Sequence, residues 1–520
     1  MASISENQLT AEGLDGMWSP VLQGRYATLG EALGGAAAQF GNRAAYVETG
    51  ARISYQDWIH RADCVATELV SRGVRPGDVV AMMLESSIDF AVVYAAIERV
   101  GGIATGINLR LGRVEIEGIL ARCAPRVVVC ENGIPVPDTN GAGLIRRSDL
   151  AGCKTPLPFE TRSARDDIAV IVWTSGTTGM PKGASYDHAA LEASAASARY
   201  IAAPFDTRLM PTPFCHAGYI TKLWEQIAFA TTIVITPTPW RAAETLALME
   251  SEKVTVGAAV PTQWSKIVEL PNIERADLSS LRLCLTASAP ASPELVDAVC
   301  NRLGAPMLVR YAMSEAPSVS STAPSDAPEI LNLTVGKPLP GVQVRLVDDA
   351  GAQVANGEIG RVTLKSDGMM KGYWGAPEET AKVFDERGWL LTGDAGRFDA
   401  EGNLILVGRT TDMYIRGGYN IYPIEVENVL REHPGVADVS VIGTPAPVIG
   451  EIGVAFIVAD SERPGTTADE LRNWVRANLA DYKVPDEIRF VPALPLTAMM
   501  KVDKAALRAG LTGGHVETAS

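Results

Sequence analysis

Over roughly the first 400 residues, short Val/Ile/Leu runs alternate with longer Ala-rich amphipathic stretches, the texture of a doubly wound α/β sheet. Gly77–Leu84 reads as a strand entered from a turn. Ser86-Ser87-Ile88-Asp89 then offers hydroxyl caps for a helix that carries Phe90, Val93, Tyr94 and Ile97 and stops at Gly101-Gly102. Comparable units run through Ala228–Thr236 and Leu281–Thr286. Ile168–Trp173 is an unbroken apolar run bounded by turn residues and predicts a buried strand. From about Gly336 to Val407 the pattern changes to strand pairs with polar turns, Val342–Val347, Gly360–Leu364 and Asn403–Val407 among them. From about Asp412 a further α/β pattern follows: a helix at Pro423–Glu432, strands at Val436–Ile442 and Val454–Val458, and a helix at Ala468–Leu479. The expected class is therefore α/β. A large N-terminal domain of doubly wound sheets (1–410) carries a small β-rich subdomain at about 336–408, and a small α+β C-terminal domain occupies 411–520.

At 520 residues the chain is too long for a single core. A formal net charge of −15 argues against nucleic acid or an anionic membrane as the main partner, so polyanionic ligands would need local basic pockets. Seven scattered cysteines, odd in number and never spaced as CxxC, predict reduced thiols in a cytoplasmic protein, not a disulfide frame or zinc site. Apolar runs are interrupted by charge before they could span a bilayer, so stable membrane insertion is not expected.

The most chemically informative segment follows the Ile168–Trp173 strand: Thr174-Ser175-Gly176-Thr177-Thr178-Gly179-Met180-Pro181-Lys182-Gly183. A strand that opens into Gly, Ser and Thr can turn backbone N–H groups and hydroxyls toward phosphate oxygens. Lys182 adds a point charge. The spacing is not that of the Walker loop. A surface loop of small residues is the bland alternative, but hydroxyls, glycines and Pro-Lys-Gly coincide directly after a strand, which favours nucleotide phosphates.

This loop closely resembles the phosphate loop of the adenylate-forming (AMP-binding) enzymes, the superfamily of acyl-CoA synthetases, peptide-synthetase adenylation domains and firefly luciferase. The resemblance covers nearly the whole chain in order, through Gly73–Asp78, Pro213-Phe-Cys-His216, Thr286-Ala-Ser-Ala-Pro290, Tyr311-Ala-Met-Ser-Glu315, Leu391–Asp394, Gly408–Asp412, Gly417–Pro423 and Leu494–Lys501. It implies that the C-terminal domain is mobile and that ATP or AMP, Mg²⁺ and coenzyme A are the cofactors. By the same resemblance Thr174–Gly179 and Lys182 hold phosphates, and Ser288, Ala289 and Pro290 line the adenine and acyl pocket. Tyr311 stacks on adenine beside Ala312 and Met313, Ser314 meets the α-phosphate, and Glu315 holds Mg²⁺, which prefers hard oxygen ligands. Asp394 takes the ribose hydroxyls and Arg409 the ribose or phosphate. His216 borders the reacting carboxylate. Lys501 stabilises charge during adenylation, and Gly417 and Gly418 line a pantetheine tunnel. Arg416 and Lys483 are further candidates for the phosphates of coenzyme A.

Four positions depart from the family pattern: Ala312 where Gly is usual, Met500 where Gly usually precedes the lysine, Thr411 at the usual hinge, and Ala446 where Asp is common. The leading expectation is an acyl-CoA synthetase that converts a hydrophobic carboxylic acid to its thioester through an acyl-adenylate. Still open beside it are a member that only transfers a preformed acyl-adenylate to coenzyme A, one that loads a separate carrier protein, and a non-catalytic nucleotide-binding regulator. The oligomeric state is not legible.

Overall fold

The computed structural model describes residues 26–137, 141–152, 156, 163–174, 181–198, 201–287, 291–410, 412–417, 419–461, 463–497 and 502–512. The chain resolves into two compact units. One holds residues up to 343 together with 365–389, and the other holds 344–364 and everything from 390 onward.

The first unit contains two large sheets. In the nine-stranded sheet, six strands run parallel in the order Ala44–Glu48, Thr232–Ile235, Thr207–Met210, Val256–Ala258, Leu283–Thr286 and Met307–Met313. Antiparallel strands Ala51–Ser54 and Ala316–Ser321 flank this run. The seven-stranded sheet is built on the parallel strands Gly143–Arg146, Val127–Cys130, Val79–Met83, Ile103–Gly106 and Ile168–Thr174. Lys182–Asp187 folds back antiparallel on Ile168–Thr174, and Gly372–Tyr373 closes that edge. Buried Val, Ile, Leu and Cys side chains fill the spaces beside both sheets, as strands covered on two faces require.

Local signals explain much of this. The helix Ile88–Val100 is capped by the Ser87 hydroxyl, which accepts from the Phe90 N–H, and it ends on Gly101 in the left-handed region at φ 77°. Its buried face includes Phe90, Val93, Tyr94 and Ile97, as the periodicity predicts.

The second unit contains a sheet ordered Gln343–Val347, Gly360–Lys365, Leu390–Phe398, Leu404–Arg409. Its other sheet is dominated by the long hairpin Val436–Ala446 with Gly450–Ala459, against which Tyr414–Arg416 and Glu487–Phe490 pair. Helices Pro423–Arg431 and Ala468–Asn478 supply Val426, Leu430, Leu471 and Val475 to its core. The hairpin strands run longer than their apolar pattern predicts. Gly443 and Gly453 face each other across it, and the Tyr414 ring lies on both. A Cβ on Gly443 would come within 2.3 Å of Tyr414 Cβ, and one on Gly453 within 2.2 Å of the Tyr414 hydroxyl oxygen. Among the described residues no helix is long and apolar enough to cross a membrane.

Candidate functional site

In the first unit, the antiparallel pairing of Ile168–Thr174 with Lys182–Asp187 brings Thr174 and Lys182 into register as cross-strand neighbours. Lys182 is thus the first residue of a strand, not a loop residue. Its Nζ bonds Glu379 Oε2 at 2.6 Å and lies 5.4 Å from the centre of the Tyr373 ring. Glu379 also takes Lys382 at 2.6 Å, and hydrogen bonds from the two ammonium groups hold its carboxyl down to about 2.

Tyr373 links this corner to the Tyr311–Glu315 element. Its hydroxyl donates to Glu315 Oε1 at 2.8 Å, while the Tyr186 hydroxyl donates to the Ser314 carbonyl at 2.5 Å. Burial, with the Glu315 carboxylate next to it, pushes the Tyr373 phenol well up, so it stays a donor at any physiological pH. Tyr311 is buried on the strand Met307–Met313, and Ala312, Met313, Ser314 and Glu315 are half-buried. A register shift between Tyr311 and Met313 places Ala312 at a bulge. The described non-glycine residues with positive φ do not include Ala312. The alanine therefore carries no left-handed strain at a position where the family uses glycine.

His216 caps the short helix Ala217–Ile220: its Nδ1 accepts from the Gly218 N–H at 3.3 Å, so a neutral ring carries its proton on Nε2. Behind it Phe214 and Tyr219 stack with centroids 3.6 Å apart, and Tyr219 shares a hydroxyl contact of 2.8 Å with buried Tyr46. Cys215 is pressed on Gly106, whose Cβ would come within 2.6 Å of the Cys215 Cα. Burial pushes the Cys215 thiol up to about 12, which fits packing and not nucleophilic chemistry.

In the second unit, Asp394 and Arg409 are direct partners across the antiparallel strands Leu390–Phe398 and Leu404–Arg409, with Arg409 Nε 3.2 Å from Asp394 Oδ1. Asp394 is buried. Gly393 before it sits at φ 77°, and the N–H and hydroxyl of Thr410 both donate to its carbonyl. Gly417 has φ 57° and nothing within 4 Å of a Cβ, so its own backbone conformation calls for glycine irrespective of crowding. Arg416 forks onto Asp486 at 2.7 and 2.9 Å, and Lys483 bonds Glu425 at 2.9 Å. Both candidates for phosphate contact are therefore paired with carboxylates inside the second unit, because each carboxylate lies closer in the fold than chain separation suggests.

Ser175, Gly176, Thr177, Thr178, Gly179, Ser288, Ala289, Pro290, Gly418 and Lys501 lie outside the described residues, as do Thr411, Met499 and Met500. Tyr373 and Glu379 escaped the sequence reading. Neither lies in a motif, and their partners are 58 and 197 positions away.

The chain matches the AMP-binding enzyme family over residues 34–374 and the AMP-binding enzyme C-terminal domain over 425–501. It is 34% identical over 470 residues to a feruloyl-CoA synthase of Amycolatopsis sp., covering 88% of this chain and 94% of that one. To the long-chain-fatty-acid–CoA ligase FadD13 of Mycobacterium tuberculosis it is 31% identical over 488 residues, 89% of this chain and 94% of the relative. The crystal structure of ATP-bound MatB from Rhodopseudomonas palustris superposes with a TM-score of 0.87 at 28% identity, over 93% of this chain and 99% of that one. The chain belongs to the AMP-binding enzyme family. It is an acid–thiol ligase that works through an acyl-adenylate, with ATP or AMP, a carboxylic acid and coenzyme A as its small-molecule reactants.

Proposed function

We propose that the protein is a complete acyl-CoA synthetase for a hydrophobic carboxylic acid, acting in the cytoplasm. Joining a carboxylate to a nucleotide phosphate brings two anions together, so the site has to neutralise charge and hold the nucleophile in line. Lys182 and the loop before it bind the phosphates, Tyr311 and Ser314 hold the nucleotide, and His216 borders the acid. Asp394 and Arg409 act as a unit at the ribose, the arginine orienting the carboxylate that accepts the hydroxyls. Gly417 and Gly418 admit the pantetheine arm, and the working boundary between the large and small domains falls at 410/411. The observation that carries this reading is the Lys182–Glu379 and Tyr373–Glu315 corner, which joins the phosphate-loop hairpin to the Tyr311–Glu315 element through one aromatic residue.

Glu315 is the proposed protein ligand of Mg²⁺. No group of three or more His, Cys, Asp or Glu suited to a metal ion exists among the described residues. One carboxylate fits a cation that takes most of its ligands from phosphate oxygens and water, and the Tyr373 hydroxyl fixes the orientation of that carboxylate. When bound, the ion would neutralise phosphate charge. The test is a carboxylate panel in which pyrophosphate exchange and acyl-CoA formation are measured separately. An acid that supports both establishes the synthetase, and the absence of both with every acid overturns it.

One observation favours a second reading. Met499-Met500 precede Lys501, and a thioether chain in place of glycine removes easy access to positive φ where the lysine has to be delivered. On that reading adenylation is impaired and transfer from a preformed acyl-adenylate persists. Met500→Gly is then expected to raise pyrophosphate exchange about 100-fold, equivalent to about 2.7 kcal/mol of transition-state stabilisation. Fast, Lys501-dependent exchange in the unmodified protein rejects it.

A further inference from the structure

Just past the His216 turn the chain buries a lysine. Lys222 immediately precedes the helix Leu223–Ala228 and is 9% exposed. Its Nζ donates to Ser318 Oγ at 2.7 Å and to Ser194 Oγ at 3.4 Å, and the two hydroxyl oxygens are 3.2 Å apart. The nearest carboxylate oxygen, Glu225 Oε2, stands 3.8 Å away, and Glu225 Oε1 is bonded by Arg208 at 2.7 Å. Arg208 shares Glu225 with Lys222 and also has Asp206 nearby. Lys222 thus has one shared carboxylate at 3.8 Å and neutral hydroxyls as its hydrogen-bond partners, a partial surplus of positive charge.

The surroundings deepen the surplus. Arg208, on the strand Thr207–Met210, is buried, and its Nε and Nη2 have no hydrogen-bond partner. Arg310, on the strand Met307–Met313, adds positive potential. Burial, helped by Arg310 and Arg208 and opposed by Glu225, pulls the Lys222 ammonium down to about 7. Burial resists ionisation of Glu225, but Arg208, Lys222 and Arg310 together hold its carboxyl at about 2. A buried cation without a full counter-charge is costly, and an apolar residue of similar length would pack more cheaply if packing were the whole purpose.

The cluster is built partly from the same chain segments that are assigned above to nucleotide and acid. Ser318 lies on the strand Ala316–Ser321, three positions beyond Glu315, a rise of roughly 10 Å. Lys222 is six positions beyond His216. An acid with its reacting carboxylate at His216 and its adenylate at Tyr311–Glu315 would start its acyl chain three to six chain positions from Ser318 and Lys222.

We infer that Lys222, seated on Ser318 and Ser194, reads an acceptor oxygen at the end of the acid remote from the reacting carboxylate. The preferred substrates are acids with an apolar body and a distal keto or carboxylate oxygen, in preference to plain hydrocarbon tails. This rests on the synthetase reading and narrows its substrate class.

The test uses three acids of equal chain length: a saturated monocarboxylic acid, its counterpart with a keto group near the far end, and its counterpart with a terminal carboxylate. Each is assayed with the full-length protein for pyrophosphate exchange and acyl-CoA formation. The unmodified protein is expected to favour at least one oxygenated acid at least tenfold in kcat/KM, with the change mainly in KM. Lys222→Met is expected to reduce that ratio at least tenfold, and Ser318→Ala severalfold. If the terminal carboxylate is the feature read, its advantage over the keto acid grows as the pH falls through 7 and the ammonium forms. A ratio unchanged by both variants, or a preference of the unmodified protein for the plain acid, overturns the inference and leaves the synthetase standing. Absence of both half-reactions with every acid removes the synthetase reading, and this inference with it. Should Lys222→Met fail to fold, Ser318→Ala decides alone.

Discussion

Lys182 and Lys222 lie in the same unit and have opposite surroundings. Lys182 is partly open to solvent, bonded to a carboxylate at 2.6 Å and set beside an aromatic ring. Lys222 is buried, bonded to two serines and flanked by guanidinium groups. On the proposed function the first is a cation held in reserve, because a partly exposed ion pair contributes little and can be exchanged for phosphate at small cost. The second pays for its burial in protonation, so its charge depends on pH and on what is bound beside it. The chemical identity of a lysine says little about its role until the atoms around Nζ are known.

The largest expected effect lies at Lys222. Its folded-state value near 7 is below the ordinary 10.5, so between these pH values the unfolded chain binds the extra proton. Stability therefore rises with pH across that window and is lowest at and below about 7. The full drop corresponds to as much as about 5 kcal/mol, an upper bound. Denaturant midpoints of the unmodified protein and Lys222→Met from pH 6.5 to 10 isolate the contribution. Parallel curves would erase the contrast between the two lysines.

Next comes Lys182→Ala. If this lysine neutralises the β- and γ-phosphates, pyrophosphate exchange is expected to fall about 100-fold, the loss of one well-placed donor. Thioester formation from supplied acyl-adenylate, which lacks those phosphates, should change far less. Equal losses in both half-reactions would make Lys182 structural. Asp394→Ala, in the second unit, should weaken binding of AMP in calorimetry by roughly 1.5–3 kcal/mol, the range for a charge-assisted hydrogen bond. An unchanged affinity would end the ribose assignment.

The smallest expected effect is that of Glu379→Gln. If phosphate binds Lys182, the carboxylate competes with it at a solvent-accessible position, so its neutralisation should lower KM for ATP by less than about fivefold. A rise in KM would mean that Glu379 positions the lysine instead of competing for it.

Much of the architecture was legible in the chain. The strand Ile168–Thr174 and the helix Ile88–Val100 with its Ser87 and Gly101 ends follow from patterns a few residues long. Such features depend on local periodicity, capping and turn chemistry, which a single sequence carries.

What only the tertiary structure decided is which distant groups meet. Glu379 reaches Lys182 across 197 positions, and Tyr373 reaches Glu315 across 58. Tyr414 settles on Gly443 and Gly453 within a hairpin that runs beyond its apolar pattern. Lys222 gains its character from Ser194, Ser318, Arg208 and Arg310, which come from separate elements. The physical reason is common to all: burial and electrostatics depend on separation in space, whereas periodicity reports only neighbours along the chain.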